Sequence, residues 1–297
     1  MFFGKDVPPV RMRLLFCLLL LLGLLLCPLA ALRAAPAGDA ANVRPAGDVP
    51  DRREWLIGTV AAAMAPTCHP EALKAQAVAA ASLADAKPDA ADSPAYWDRA
   101  ARMAAWGDQF AAREAKLSAA VDAVADLRLT YDGKPAAAVW HSLSAGSTRS
   151  AADAWGTACP YLISVPSPGD RLSPAFTQEI TVTADAFAET LRALGVVCDG
   201  AAADWVTAVS EGADGYTESV TVCGKTLTGN RLRDAFDLPS AAFALACGAE
   251  GFTFTVHGSG HGVGMSQYGA DYLARQGSDF RAILSHYYPG TRLEHAD

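Results

Sequence analysis

The stretch FTFTVHGSGHGVGMSQYGADYLARQ, from Phe252 to Gln276, changes its period twice. Phe252 to His257 reads as a strand rich in aromatic and β-branched residues. Glycine then occupies every second position from Gly258 to Gly264, which strips side chains from a turn and lets backbone amides approach another group closely. From Met265 to Gln276 the apolar residues return at helical intervals, and a second short helix follows from Asp279 to Tyr287. The glycine spacing does not match the GxGxxG of a dinucleotide-binding turn.

Upstream, helical spacing of apolar and alanine residues predicts helices from Trp55 to Met64 and from Pro70 to Ala86, the latter with proline at its first position. A third is expected from Tyr96 to about Asp126. The period then shortens. Leu127 to Tyr131 and Ala136 to Trp140 flank Asp132-Gly133, a tight-turn dipeptide that predicts a hairpin. Phe176 to Thr183 reads as a strand, Ala184 to Leu194 as a helix, and Glu218 to Cys223 with Lys225 to Thr228 as a hairpin about Gly224. Helices first and hairpins later define an α+β class rather than a doubly wound sheet: an N-terminal apolar helix, then helices packed with β-hairpins around a groove.

The N-terminal part sets the compartment. Leu14 to Leu32 runs uncharged for nineteen residues, about 28 Å as a helix against roughly 30 Å of bilayer core. Lys5, Arg11 and Arg13 precede it, so the positive-inside rule sends the remainder outward. Residues 1–33 therefore read as a signal-anchor or signal peptide, with small residues Ala30, Ala31, Ala34 and Ala35 at the cleavable end. Residues 34–50 read as a flexible linker rich in Ala, Gly, Pro and Asp. Residues 51–297 form the exported domain. The chain has 297 residues, with 24 basic against 32 acidic side chains and a net charge of −8. That balance removes the electrostatic attraction that dominates nucleic-acid binding. Of seven cysteines, Cys198, Cys223 and Cys247 fall in one stretch able to supply a disulfide, with buried small hydrophobes as the competing reading.

Three segments carry chemistry. In the alanine helix, Glu71, Lys74 and Gln76 stand near the N-terminus, where a carboxylate meets the favourable end of the macrodipole. The segment Trp140 to Thr148 places His141, Ser142 and Ser144 at a strand end suited to polyols. The glycine turn adds His261, Ser266, Gln267 and Tyr268. His257 and His261 invite a zinc reading, but the glycines between them do not form the helix that would align both rings, and no third ligand has recognisable spacing.

Together the blocks EALKAQAVAA (Glu71 to Ala80), WHSLSAG (Trp140 to Gly146), WGTACPYLISV (Trp155 to Val165), SPGD ending at Asp170, GHGVGMSQYGA ending at Ala270 and HYYPGTRL (His286 to Leu293) resemble the stage II sporulation protein D (SpoIID) family, in the family's order. The same fold occurs in proteins called amidase enhancers. The resemblance implies an extracytoplasmic lytic transglycosylase that cleaves peptidoglycan glycan strands between N-acetylmuramic acid and N-acetylglucosamine during engulfment in sporulating bacteria. It implies partners among other sporulation cell-wall hydrolases and the cytoplasmic membrane.

The family's general acid is a glutamate just before the methionine that precedes the alanine helix, and here that place is Ala63. The family's Arg-Thr after the alanine motif is Ala81-Ser82, and its paired glycines are Ala145-Gly146. Glu71 is the motif carboxylate that remains, and the catalytic expectation falls on it. Lys74, Gln76, His141, Ser142, Ser144, His261, Ser266, Gln267 and Tyr268 are the expected substrate contacts. No cofactor is required. The resemblance also admits zinc, with His141 and Cys159 as a ligand pair. With Ala63 in the acid position, a catalytically impaired, glycan-binding amidase enhancer is the alternative.

Overall fold

The computed structural model describes residues 51–87 and 95–296; the expected N-terminal apolar helix and linker lie outside the described residues. At its centre is α2 (Pro70–Ala86). Pro70 starts it with its fixed φ, and His69 caps it by accepting the Glu71 N–H at 3.3 Å. Alanines buried around most of its circumference make it a core helix rather than an amphipathic one. Around it pack α1 (Arg52–Ala63), α4 (Phe110–Asp122), β1 (Leu127–Tyr131), α8 (Gln267–Arg275) and α9 (Phe280–Tyr287). Small side chains let these neighbours approach the axis. The fully buried Ser82 on the far turn is satisfied twice: its hydroxyl donates to Val78 O at 2.6 Å and accepts from the Leu129 N–H at 2.8 Å.

The single helix expected from Tyr96 to Asp126 is two: α3 (Arg99–Trp106) and α4, joined by a 3-10 turn at Gly107–Gln109. Gly107 adopts a φ of +50, which an ordinary helical residue avoids. The break lets α3 fold back on α1. Arg102, fully buried, locks that corner with bonds to both oxygens of Glu114 (2.9 and 2.8 Å), to Glu54 (2.8 Å) and to Trp97 O (2.8 Å). Lysine cannot reproduce this planar fork. Arg102→Lys is expected to lose about 2 kcal/mol in urea denaturation.

A second apolar cluster supports the strands. β4 (Thr177–Val182), β9 (Gly251–His257) and β8 (Ala242–Gly248) form an antiparallel sheet in the order β4-β9-β8, and β5 (Val206–Glu211), β6 (Thr217–Val222) and β7 (Lys225–Thr228) form another. Phe187 on α6 (Ala184–Ala193) stacks on Phe252 with ring centres 3.8 Å apart. Thr217 joins the sheets, its hydroxyl donating to Phe243 O at 2.8 Å. Of the three clustered cysteines, Cys198 and Cys223 form the disulfide and Cys247 is free and exposed.

The expected hairpin of Leu127–Tyr131 with Ala136–Trp140 is shorter. Only β2 (Lys134–Pro135) pairs with β1, while β11 (Arg292–His295) takes β1's other edge. Trp140–His141 instead forms β3, pairing in parallel with β10 (Met265–Ser266). The expected helix from Met265 accordingly starts at Gln267, with Ser266 as N-cap accepting the Gly269 N–H at 3.2 Å. Among the described residues no helix is long and apolar enough to cross a membrane.

Candidate functional site

The β3–β10 ladder puts Ser266 opposite His141 and so zips the histidine-serine segment to the glycine turn. Leu143 and Ser259 exchange backbone bonds of 3.0 and 2.7 Å, and the Arg149 N–H reaches Gly262 O at 2.7 Å. The glycines serve this zipper. A Cβ on Gly264 would collide with the carbonyl of Val139 and one on Gly262 with the Tyr216 hydroxyl, and both residues have positive φ. The open backbone receives the protein's own groups at these two positions.

Asp170, fully buried, is the hub beneath this face. One oxygen accepts the Ser144 N–H at 2.9 Å and the Ser144 hydroxyl; the other accepts the Ser266 hydroxyl at 2.9 Å. Burial pushes its carboxyl above the usual range despite the hydrogen bonds from Ser144 and Ser266 that favour the charge. Asp170 lies in the SPGD block, yet nothing local marks it as the residue on which two distant serines converge.

Val263 links the two histidines. Its carbonyl meets His141 Nδ1 at 3.1 Å, and its N–H donates to His261 Nδ1 at 3.1 Å. Facing a carbonyl, His141 Nδ1 carries its proton; facing an N–H, His261 Nδ1 is bare. Burial drives His141 down to about 3, helped by the neighbouring His261. Burial and then the charge of Arg233 drive His261 down to about 4, against a hydrogen bond to the Trp140 backbone. Both rings are therefore neutral at pH 7. Their centres are 5.8 Å apart.

The expected site residues fall into three groups. Ser142 is exposed and His261 and Tyr268 are half-buried; the Tyr268 N–H donates to Ser142 O at 3.2 Å and the His261 ring lies 5.8 Å from that of His141, so the three cluster beside the β3–β10 ladder. His141, Ser144, Ser266, Gln76 and Gln267 are buried scaffold, the last two joined by Gln267 Nε2 donating to Gln76 Oε1 at 3.2 Å. The alanine helix and the glycine-turn helix therefore touch through that buried amide pair. Glu71 and Lys74 form the third group. Glu71 Oε1 accepts from Lys74 Nζ at 2.6 Å, and Oε2 accepts the Phe280 N–H at 2.9 Å, capping α9. Desolvation pushes the Glu71 carboxyl up most strongly, but the bonds from Lys74 and Phe280 together bring it below its ordinary value. A carboxylate held this way is charged at neutral pH, and in this geometry Glu71 caps α9 and pairs with Lys74.

The zinc expectation is tested by donors. His141 offers one buried nitrogen, Nε2, which has no partner. Cys159 is half-buried with a free thiol. His257 is turned to Thr177, with Nδ1 3.0 Å from its hydroxyl. Among the described residues no three His, Cys, Asp or Glu side chains converge. Two donors do not make a tetrahedral site, and the residues present do not fit the metal.

These features define a class: mixed α+β proteins in which a histidine-serine strand end is laced to a glycine turn over a buried aspartate. Residues 49–131 match the family model described as SpoIID: Stage II sporulation protein. The chain is 38% identical over 266 residues to Stage II sporulation protein D of Bacillus subtilis (strain 168), covering 82% of this chain and 74% of that one. It is 36% identical to the protein of the same name from Bacillus amyloliquefaciens, again over 82% and 74% of the two chains. A 42-residue segment, 14% of this chain and 6% of the other, is 52% identical to the Amidase enhancer of Bacillus subtilis (strain 168). The chain belongs to the SpoIID family of sporulation proteins.

Proposed function

We propose that this SpoIID protein binds peptidoglycan glycan strands on the Ser142–His261–Tyr268 face and assists a separate cell-wall hydrolase without cleaving the strand itself. The observation that carries the reading is the lack of a proton donor at the expected places. The acid position is Ala63, the last residue of α1, and both oxygens of Glu71 are committed to Lys74 and α9. Glycosidic cleavage needs a carboxylic acid held protonated beside the leaving oxygen, a contribution of typically 10²–10⁴-fold. The segment shared with the amidase enhancer favours the same assisting role. Export through the apolar N-terminal stretch completes the reading, and the Cys198–Cys223 disulfide accords with an oxidising compartment.

The test incubates the full chain with glycan strands freed of stem peptides. Retention of strands without 1,6-anhydromuramyl products in mass spectrometry is the expected result, and Ala63→Glu is expected to bring such products into view. The second reading, a lytic transglycosylase cleaving between N-acetylmuramic acid and N-acetylglucosamine during engulfment, draws on the 38% identity spread over most of the chain. Anhydro products from the unmodified chain that vanish in Glu71→Gln establish that second reading and overturn the first.

A further inference from the structure

We propose that Trp155 is the stacking platform for a pyranose ring, extending the Ser142–His261–Tyr268 face, and that one hexosamine unit of the glycan is gripped there. The proposal rests on the glycan-binding reading above. Trp155, with 49% of its surface exposed, is the one aromatic side chain among the large apolar residues that the described part of the chain leaves exposed. It ends the short helix α5 (Ala151–Trp155). Its ring lies 5.3 Å from that of His261 at an angle of 50°, and His261 is in turn backed by His141 and pinned by the Val263 N–H. One side of the indole is thus braced by the neutral His261 imidazole, which His141 backs in turn.

The backbone that carries the ring is fixed from several directions. Ser150 caps the helix by accepting the Asp153 N–H at 3.1 Å, and the Ala151 N–H reaches Leu162 O at 2.9 Å. Asn230 Nδ2 holds Ala154 O at 2.7 Å while its own Oδ1 accepts from buried Arg149 at 2.7 Å. Gly156, in the left-handed conformation, turns the chain away just after the ring. A half-exposed indole contributes little to a core, so this bracing serves the ring's exposed surface. Preorganisation of that kind lowers the entropy cost of binding.

The surroundings select a sugar over other occupants. The exposed neighbours Ala152, Asp153, Gly156 and Thr157 are small or polar, too little apolar surface for a protein interface. The net charge of −8 disfavours a nucleobase on a polyphosphate chain. A pyranose presents an apolar C–H face with a rim of hydroxyls, which complements a flat ring bordered by hydrogen-bonding groups. Asp153 is exposed two residues before Trp155, and Arg233 keeps 30% of its side chain exposed and stands near enough for its charge to act on His261.

The experiment titrates the full chain, in detergent, with soluble glycan strands lacking stem peptides and reads affinity by calorimetry. Trp155→Ala is expected to bind roughly tenfold more weakly, and Trp155→Phe to recover most of the loss, as ring stacking requires. Far-ultraviolet dichroism of each variant verifies that it folds. If the unmodified chain binds and Trp155→Ala binds within about twofold of it, the platform is overturned while the glycan reading stands. Equal weakness of the alanine and phenylalanine variants also overturns it, because stacking would then not be the cause. Failure of the unmodified chain to bind strands removes the glycan reading and this proposal with it.

Discussion

Asp170→Ala is expected to cost about 3–5 kcal/mol of folding stability and to erase any binding on the Ser142–His261–Tyr268 face. The carboxylate receives three protein donors in a site closed to solvent: the Ser144 N–H, the Ser144 hydroxyl and the Ser266 hydroxyl. Removing it strands all three, and each buried donor left without a partner costs about 1–3 kcal/mol. The two hydroxyls can rotate toward other acceptors, so the total falls short of three full penalties, but the Ser144 N–H cannot rotate. Loss of the hub also frees the two zipped segments, because Ser144 follows β3 and Ser266 ends β10.

Asp170→Asn separates charge from shape. Burial already raises the Asp170 pKa, so the folded protein tolerates the neutral form better than the unfolded chain does. An amide is expected to lose less than the alanine variant, since its oxygen can still accept both Ser144 donors while its NH₂ faces the Ser266 hydroxyl, which can reverse. Urea denaturation of the two variants measures this order. An alanine variant as stable as the unmodified chain would show that Asp170 is not the hub.

The local elements were legible where a residue announces its own backbone. Pro70 and the alanine run mark α2 from first residue to last, and Asp132-Gly133 marks the turn after β1, with Asp132 at a φ of +49. Gly107 could have broken the long helix on paper, but one glycine within a helical period is an ambiguous signal. β8, Ala-Phe-Ala-Leu-Ala-Cys-Gly, escaped notice because alanine suits helix at least as well as strand, and its pairing with β9 is a tertiary fact. β3 and β10 are two residues each and exist through their partner alone.

The site was legible in residue type and not in depth. The histidines and serines of the two loops do meet, yet nothing in WHSLSAG distinguishes the exposed Ser142 from the fully buried Ser144. Burial depends on what covers a residue, and here the cover comes from the 3-10 turn Pro168–Leu172 far along the chain. Glu71 illustrates the same limit. Its place at a helix start is visible in sequence, but its second bond, to the Phe280 N–H, arises from helix packing across 209 residues.

Acidification from pH 6.5 to 4.5 is expected to remove on the order of 4–5 kcal/mol of stability through His141 and His261. The folded pKa values, about 3 and about 4, lie below the ordinary 6.5. Between those values the unfolded chain takes up two protons that the folded chain refuses, so stability is whole above pH 6.5, declines as pH falls, and stops declining once the folded rings also protonate. Each unit of pH in the steep part costs about 1.4 kcal/mol per ring. Glu71, whose folded pKa is lowered, adds a loss of the same sign only below about pH 4.5, and Asp170, whose folded pKa is raised, acts in the opposite direction. The difference in slope between the unmodified chain and a variant lacking both histidines therefore isolates their share within the window. The paired substitution His141→Asn with His261→Asn leaves a chain less stable at neutral pH, since the Val263 bonds go, but its stability is expected to stay nearly level across that window. Urea midpoints at pH 6.5, 5.5 and 4.5 for both proteins decide it. Equal slopes would mean that water reaches the rings and that burial does not hold them neutral.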